Sequence, residues 1–474
     1  MKNKKSKKSS ILFYKVLSFI LIIISVFSFS IILYFKVLPS KYLIPIIVIF
    51  SILIFIISYK LNKRTILFTK LIMSLFSFIL ILIESLGIFY AIGTIDFLNK
   101  IFDTGYRIDV YNVYVLKDSD YQNIDELNDK KISFYEQENK SYLNATNKLK
   151  NKVSYEEVLV NSISQGVDNL INNETEALFI SETLMDIYKE DHHEQYNNLK
   201  IMDSITVLSK SEKTFKRVDV TKNPFVIYLS GSDLTGKIEK ASRSDVNIIA
   251  IINPKLGKVL LINTPRDYYV TLATKKAKDK LTHAGIYGIE ESALTLGNLY
   301  QIDVNYYARV NFTSFVKIID ALNGITVNSR YAFSYDGYSF KKGINELTGA
   351  KALAFSRGRS MLPQGDVSRG ENQQAVIAGI INKLSDKKTL IKYNTLLNSL
   401  ESGVMTNIDK NMLTKIVNMQ LDENIKWEVD TFNVTGNNSS NITYSTGNIK
   451  VYVMQPDLDK LSEAKIKIND LMTN

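Results

Sequence analysis

Three long apolar runs occupy most of the first hundred residues and dictate what this chain can become. Val16 to Phe35 is twenty residues without a charge, Tyr42 to Tyr59 is eighteen, and Leu71 to Ile95 is interrupted only by Glu84. Each is long enough to cross about 30 Å of hydrocarbon as a helix. The first run is too long for a cleaved signal peptide, lacks a small-residue cleavage motif and is followed by two more, so the sequence predicts three transmembrane helices. Lys2, Lys4, Lys5, Lys7, Lys8 and Lys15 precede the first run, and Lys60, Lys63, Arg64 and Lys70 separate the second from the third; only Lys36 and Lys41 lie in the remaining loop. That asymmetry places the N-terminus in the cytoplasm and everything after the third span outside.

Net charge must be read against this topology. Residues 1–70 hold twelve Lys/Arg and no Asp/Glu, leaving 46 basic and 48 acidic residues in 71–474. The formal +10 is therefore an orientation signal, and the exported part, near −2, lacks the basic excess expected of a nucleic-acid binder. The absence of cysteine fits an exported region stabilised by its cores alone.

The exported region is long enough for two domains. A polar, aperiodic stretch from Ser211 to Asn223 separates them, giving 1–97 as basic tail and membrane helices, 98–212 as a small α/β accessory domain and 222–474 as a larger α/β domain. In the accessory domain, strands are expected at Asp109–Leu116, Lys131–Tyr135 and Ala177–Ile180, and helices at Tyr142–Leu149 and Tyr155–Ile171. His192 and His193 lie in a polar, acidic stretch and read as solvated.

In the larger domain, strands are expected at Phe225–Ser232, Val246–Ile252 and Lys258–Ile262. Each is flanked by charge: Asp233 after the first, Arg243 and Asp245 before the second, Arg266 and Asp267 after the third. Such residues collect at one rim of an α/β sheet, where ligands bind. Further on, Arg357, Arg359, Asp366 and Arg369 surround a Gly/Pro-punctuated loop that leads into a helix. Guanidinium forks match phosphate oxygens bidentately, so this loop suits a diphosphate, although a solvated basic loop has the same composition. If Arg357 and Arg359 lie on an extended segment, their spacing turns both to one side. Tyr307–Leu322 and Ala375–Leu384 carry apolar residues at helical spacing.

The ordered set GSD, RSD, NPKxGKVLLINTPRDYYV, KLTHAGIYG, INELTGAKALAFSRGR and GDxSRGENQQ resembles the LytR-CpsA-Psr family of Gram-positive cell-envelope enzymes, over about 222–474. The three spans and inserted domain are similar to its capsule-assembly members. The resemblance implies an αβα sandwich around a mixed sheet. It also implies transfer of a glycopolymer, capsular polysaccharide or teichoic acid, from an undecaprenyl-diphosphate carrier to peptidoglycan. On that resemblance Asp233 and Asp245 hold Mg2+ or Mn2+, and Arg243, Arg266, Arg357, Arg359, Arg369 and Gln373 grip the diphosphate. Arg309 and Asn311 lie near the lipid. Either Asp267 or Asp366 is the candidate base, because no histidine is suitably placed; either could instead orient an arginine. Many members carry a second arginine where this chain has Asn372. Partners so implied are the membrane, the lipid-linked glycan, peptidoglycan and, through the accessory domain, capsule-assembly membrane proteins. A non-catalytic glycan receptor and a diphosphate hydrolase remain alternatives.

Overall fold

The computed structural model describes residues 2–35, 40–102, 106–135, 140–210, 215–233, 241–386, 389, 403–447 and 450–473. Residues 211–214 of the expected interdomain stretch lie outside them. The chain divides into two units, one comprising Met1–Lys100 with Lys410–Asn424, the other Ile101–Asp409 with Ile425–Asn474.

The first unit contains α1 (Lys2–Phe35), α2 (Ser40–Asn62) and α3 (Leu67–Phe102). Three stretches in them, Leu12–Ile31, Leu43–Asn62 and Leu67–Phe89, are long and apolar enough to cross a membrane. Their exposed faces are Leu, Ile and Phe, whereas Ser18, Ser25, Ser28, Ser74, Ser77 and Glu84 are buried. Both Glu84 carboxylate oxygens accept from Ser25 Oγ at 2.9 Å, so the one acid in the apolar runs is satisfied between helices.

In the second unit the first sheet comprises β1 (Tyr106–Leu116), β2 (Lys130–Tyr135), β3 (Tyr155–Val160), β4 (Ala177–Ser181) and β5 (Leu199–Lys210), in the order β3-β2-β4-β1-β5. Helices α4 (Lys140–Lys150), α5 (Ile163–Ile171), α6 (Glu182–Asp191) and α7 (His193–Asn197) connect the strands. Strands β3, β2 and β4 run parallel, and β1 runs antiparallel to β4 and β5. The expected helix over Tyr155–Ile171 is corrected: its first six residues form the edge strand β3, and the helix starts at Ile163 after the Ser162 cap. Tyr155 and Val158 are half-buried three residues apart, which imitates a helical period.

The second sheet is built on β6 (Phe225–Ser232), β7 (Val246–Asn253) and β8 (Lys258–Asn263). The chain continues through β9 (Tyr269–Thr271), β10 (Lys278–Lys280), α8 (Leu281–Ala284), α9 (Ile289–Tyr300), β11 (Tyr306–Asn311) and α10 (Phe312–Ala321). Then come β12 (Ile325–Ser329), β13 (Phe333–Tyr335), β14 (Tyr338–Phe340), β15 (Gly343–Leu347), α11 (Gly349–Arg357), α12 (Asp366–Ser385) and β16 (Val404–Thr406). The last elements are α13 (Lys410–Glu423), β17 (Glu428–Asn433), β18 (Gly436–Ile442), β19 (Lys450–Pro456) and α14 (Leu458–Thr473). Tyr307–Asn311, expected as helix, is strand, and the helix begins at Phe312.

The second sheet has the order β16-β11-β6-β7-β8-β17. β11 lies parallel to β6 and β17 parallel to β8, while β7 runs antiparallel to both of its neighbours. The strands are apolar on both faces because helices cover both. Ile249, Ile251 and Ile262 pack with Leu296 of α9 and with Leu461 and Ile468 of α14. On the opposite face Ile248, Ala250 and Leu261 pack with Ile377 and Ile381 of α12. Full burial of each such side chain contributes about 1.5–3 kcal/mol. This is the αβα arrangement expected.

Gly285, directly after α8, shows how tightly the segment before β7 is held. A Cβ there would lie 2.5 Å from both the Ser242 carbonyl oxygen and Ser244 Oγ, and 2.8 Å from the Ser244 nitrogen. Gly285→Ala should therefore destabilise the protein by about 1–3 kcal/mol through overpacking, read as a lowered thermal midpoint. An unchanged midpoint would show that residues 242–244 can move away freely.

Candidate active site

Because β7 runs against its neighbours, the end of β6, the start of β7 and the end of β8 meet at one rim. Asp233 follows β6, Arg243 and Asp245 precede β7, and Arg266 and Asp267 follow β8. The expectation that strand carboxyl ends would gather these residues is thus half right: Arg243 and Asp245 arrive at the amino end of an antiparallel strand. Backbone bonds fix the connections, with Asp245 N donating to Gly231 O at 3.0 Å, Thr264 N to Asn247 O at 2.9 Å and Thr282 N to Arg266 O at 2.8 Å.

Arg266 Nη1 pairs with Asp245 Oδ1 at 2.9 Å, and its Nε lies 3.8 Å from Asp267 Oδ2. Burial works against the Arg266 charge, but Asp245 and Asp267 outweigh it and raise its pKa. Asp267 is buried and also faces Lys280 Nζ at 3.5 Å. Asp233 keeps an exposed face, yet loss of water around its carboxyl and, after that, the neighbouring Asp245 push its pKa up.

The arginine loop differs from the extended segment expected. Arg357 is the last residue of α11, with its guanidinium 5.0 Å from the centre of the Phe312 ring. Gly358 ends the helix and Arg359 lies beyond it, so the two arginines do not share one side of a strand-like stretch. Asp366 opens α12, where the helix dipole favours a carboxylate. It pairs with Arg369 Nη2 at 2.5 Å and lies 3.8 Å from Arg359 Nε. Burial lowers the Arg369 pKa, partly offset by Asp366. Asp366 helps to raise Arg266, and Asp245 acts on Arg369, so the two groups form one electrostatic cluster.

Gln373 and Asn372 are both buried. Gln373 Nε2 donates to Ser356 O at 3.3 Å and Asn372 Nδ2 to Phe355 O at 3.2 Å. They satisfy carbonyls in the last turn of α11 and tie it to α12. Asn372 thus serves as a helix tie.

Arg309, on β11, lies beneath the rim at 1% exposure. Its guanidinium donates to Ser230 Oγ at 3.2 Å, Ser244 Oγ at 2.5 Å and Ser242 O at 3.4 Å, and burial lowers its pKa. Asn311 Oδ1 accepts from Ser314 N at 2.8 Å, capping α10. His283 is buried against Asp279, with Nδ1 to Oδ1 2.7 Å, as a packing residue.

Sequence reasoning missed two features. Ser230, just before the GSD motif, and Ser242 and Ser244 around Arg243 line the buried Arg309, a signal present in the sequence beside the motifs. Glu190 of α6 forms an ion pair with Arg243. Nothing in the sequence couples those two positions, because the contact joins separate sheets.

Asp233 and Asp245 present oxygen donors only, and a cation would offset both the loss of water and, after it, the Asp245 repulsion that raise the Asp233 pKa. Among the described residues no group of three or more His, Cys, Asp or Glu forms a metal cluster. That donor set fits magnesium, which commonly takes one or two carboxylates and completes its shell with phosphate and water.

The model of the LytR_cpsA_psr family matches residues 188–467. The polyisoprenyl-teichoic acid–peptidoglycan teichoic acid transferase TagU of Bacillus subtilis is 37% identical over 203 residues, a match covering 42% of this chain and 66%, just under two thirds, of that protein. The TagU of Bacillus anthracis is 33% identical over 235 residues, covering 49% of this chain and 72% of that protein. The crystal structure of Bacillus subtilis TagU superposes with a TM-score of 0.42 at 32% identity, over 53% of this chain and 97% of that one. With more than half its length matched by the family model, this chain belongs to the LytR-CpsA-Psr family.

Proposed function

We propose that this protein is a membrane-anchored phosphotransferase that moves a glycopolymer from an undecaprenyl-diphosphate carrier to a sugar hydroxyl of peptidoglycan, forming a phosphodiester. The observation that carries the reading is a pair of ion-pair groups, Arg266 with Asp245 and Asp267 and Arg359 and Arg369 with Asp366, that act electrostatically on each other. Each of these arginines faces a carboxylate, and an arriving diphosphate can compete for the same forks. The names of the relatives support a polyisoprenyl-linked donor and a peptidoglycan acceptor. Capsular polysaccharide is the polymer we favour, given three membrane helices and an inserted domain. Teichoic acid, carried in the relatives' names, is the second reading. The basic residues at 2–15 and 60–70 support a cytoplasmic N-terminus and an extracellular site.

In this reading the acceptor oxygen bonds to the glycan-bearing phosphorus while the bridging P–O bond breaks, releasing polyprenyl phosphate. The hydroxyl proton passes to Asp267 or Asp366, both already oriented by arginines. Arg266, Arg359 and Arg369 bind the diphosphate and stabilise charge on its oxygens. A divalent ion at Asp233 and Asp245 would supply further neutralisation of the phosphates.

The direct experiment incubates the purified full chain with a diphospholipid-linked oligosaccharide, Mg2+ and peptidoglycan fragments, and follows products by mass spectrometry. A phosphodiester adduct with released polyprenyl phosphate is the expected result. Phosphate products without an adduct would establish a hydrolase, and binding without turnover a receptor. In this assay Arg359→Ala and Arg369→Ala should each slow transfer by about 10²–10³-fold. Near-normal rates in both would remove the arginine cluster from the chemistry.

The raised Asp233 pKa supplies a pH test. Its protonated form is favoured by folding, so the group's favourable contribution is present at low pH and is lost as pH rises through its folded pKa. Asp233→Asn should therefore raise the thermal midpoint near neutral pH, with the gain fading at about pH 4 and below. Over the same range, Mn2+ affinity measured by calorimetry should fall on acidification in the native protein. It should be weak and less pH-dependent in the variant; equal Mn2+ affinity in both proteins would place the ion elsewhere.

A further inference from the structure

We propose that Glu190, supplied by the accessory sheet region, is a specificity residue of the phosphate site: it occupies Arg243 and yields it to diphosphates in preference to monophosphates. This rests on the reading of Arg243 as a phosphate-binding residue. Glu190 lies near the end of α6, whereas Arg243 belongs to the segment that leads into β7 of the other sheet. Their side chains form a direct ion pair in which Arg243 is 20% exposed and Glu190 is 49% exposed.

The contact is held in place by the packing on either side of it. Leu184, Met185, Ile187 and Tyr188 of α6 share one buried cluster with Ile286, which follows α8, and Tyr287 packs against that cluster. Tyr287 Oη and Ser445 Oγ lie 2.9 Å apart, linking this junction to the chain beyond β18. The helix that carries Glu190 is thus seated on the same segment that Gly285 presses against residues 242–244. A helix so anchored presents its carboxylate at a fixed place.

Charge decides what such a carboxylate does. Glu190 and Asp245 both act on Asp233, so the mouth of the site carries three acids, of which Glu190 holds Arg243 and Asp245 holds Arg266. A monophosphate arriving there exchanges one anion for another on Arg243 and meets the remaining acids. A diphosphate brings more charge to the guanidinium, can reach the Arg266 cluster as well, and gains more from a divalent ion. The displaced Glu190, already half in water, is readily hydrated. The accessory sheet thereby raises the threshold that an anion must pass to enter.

The test is equilibrium binding of geranyl phosphate and geranyl diphosphate to the full chain in detergent with Mg2+, for the native protein, Glu190→Gln, Glu190→Asp, Arg243→Ala and the double variant E190Q/R243A. Glu190→Gln should bind both ligands more tightly, about twofold to fivefold for the monophosphate and less for the diphosphate, so that the preference shrinks. Glu190→Asp should retain most of the native preference. In the Arg243→Ala background, Glu190→Gln should change the preference little. If Arg243→Ala weakens diphosphate binding while Glu190→Gln leaves the preference unchanged or weakens both ligands, the Glu190 assignment falls and the phosphate site stands. If Arg243→Ala leaves diphosphate binding unchanged, the reading of Arg243 falls, and this proposal with it.

Discussion

The reversal of β7 between β6 and β8 is the constraint on which the site depends. It brings the end of β6, the start of β7 and the end of β8 to the same edge, where Asp233, Asp245 and Arg266 lie. Backbone bonds from Asp245 to Gly231 and from Thr264 to Asn247 fix the strand ends that carry the acids and arginines. Were β7 parallel, Asp245 would lie at the opposite end of a strand eight residues long. The ion pair of Arg266 with Asp245 could not form.

Around that edge the protein keeps opposite charges within contact distance in a partly dry setting. Arg266 gains from Asp245 and Asp267 more than it loses by burial, whereas burial prevails at Arg369 despite Asp366. Arg309 is more extreme, enclosed among serine hydroxyls beneath the rim. Such groups cost stability unless an arriving anion or cation completes their neutralisation. The rim is arranged around charges that a ligand would add.

Much of this was legible in the sequence because it is local. The three helices follow from uninterrupted apolar runs, and β6, β7 and β8 from short apolar stretches bounded by charge. The motifs place Asp233, Asp245, Arg266 and Asp366 near turns, where the structure also has them. What could not be read required partners distant in sequence. Tyr155–Val160 is a strand because β2 offers it an edge, and Tyr306–Asn311 because β6 does. Arg357 turns onto Phe312, 45 positions earlier, and Gln373 faces inward because α11 has carbonyls to satisfy there. Glu190 was invisible as a site residue, since its significance lies wholly in the docking of one sheet region on the other.

The order in which the sheet is completed has a consequence for the protein's biogenesis. β17 adds to β8 only after the intervening residues 264–427 have been made, and Met454 N on β19 donates to Asp267 O at 2.7 Å. Ser445, later still than β17, supplies both a backbone and a hydroxyl donor to Asp279. The rim is therefore braced by segments made long after its own strands. Pairings so far apart in sequence form slowly, since the intervening chain must first be closed into a loop. A nascent chain, even with its membrane helices in place, lacks a braced rim until those distant segments have been made.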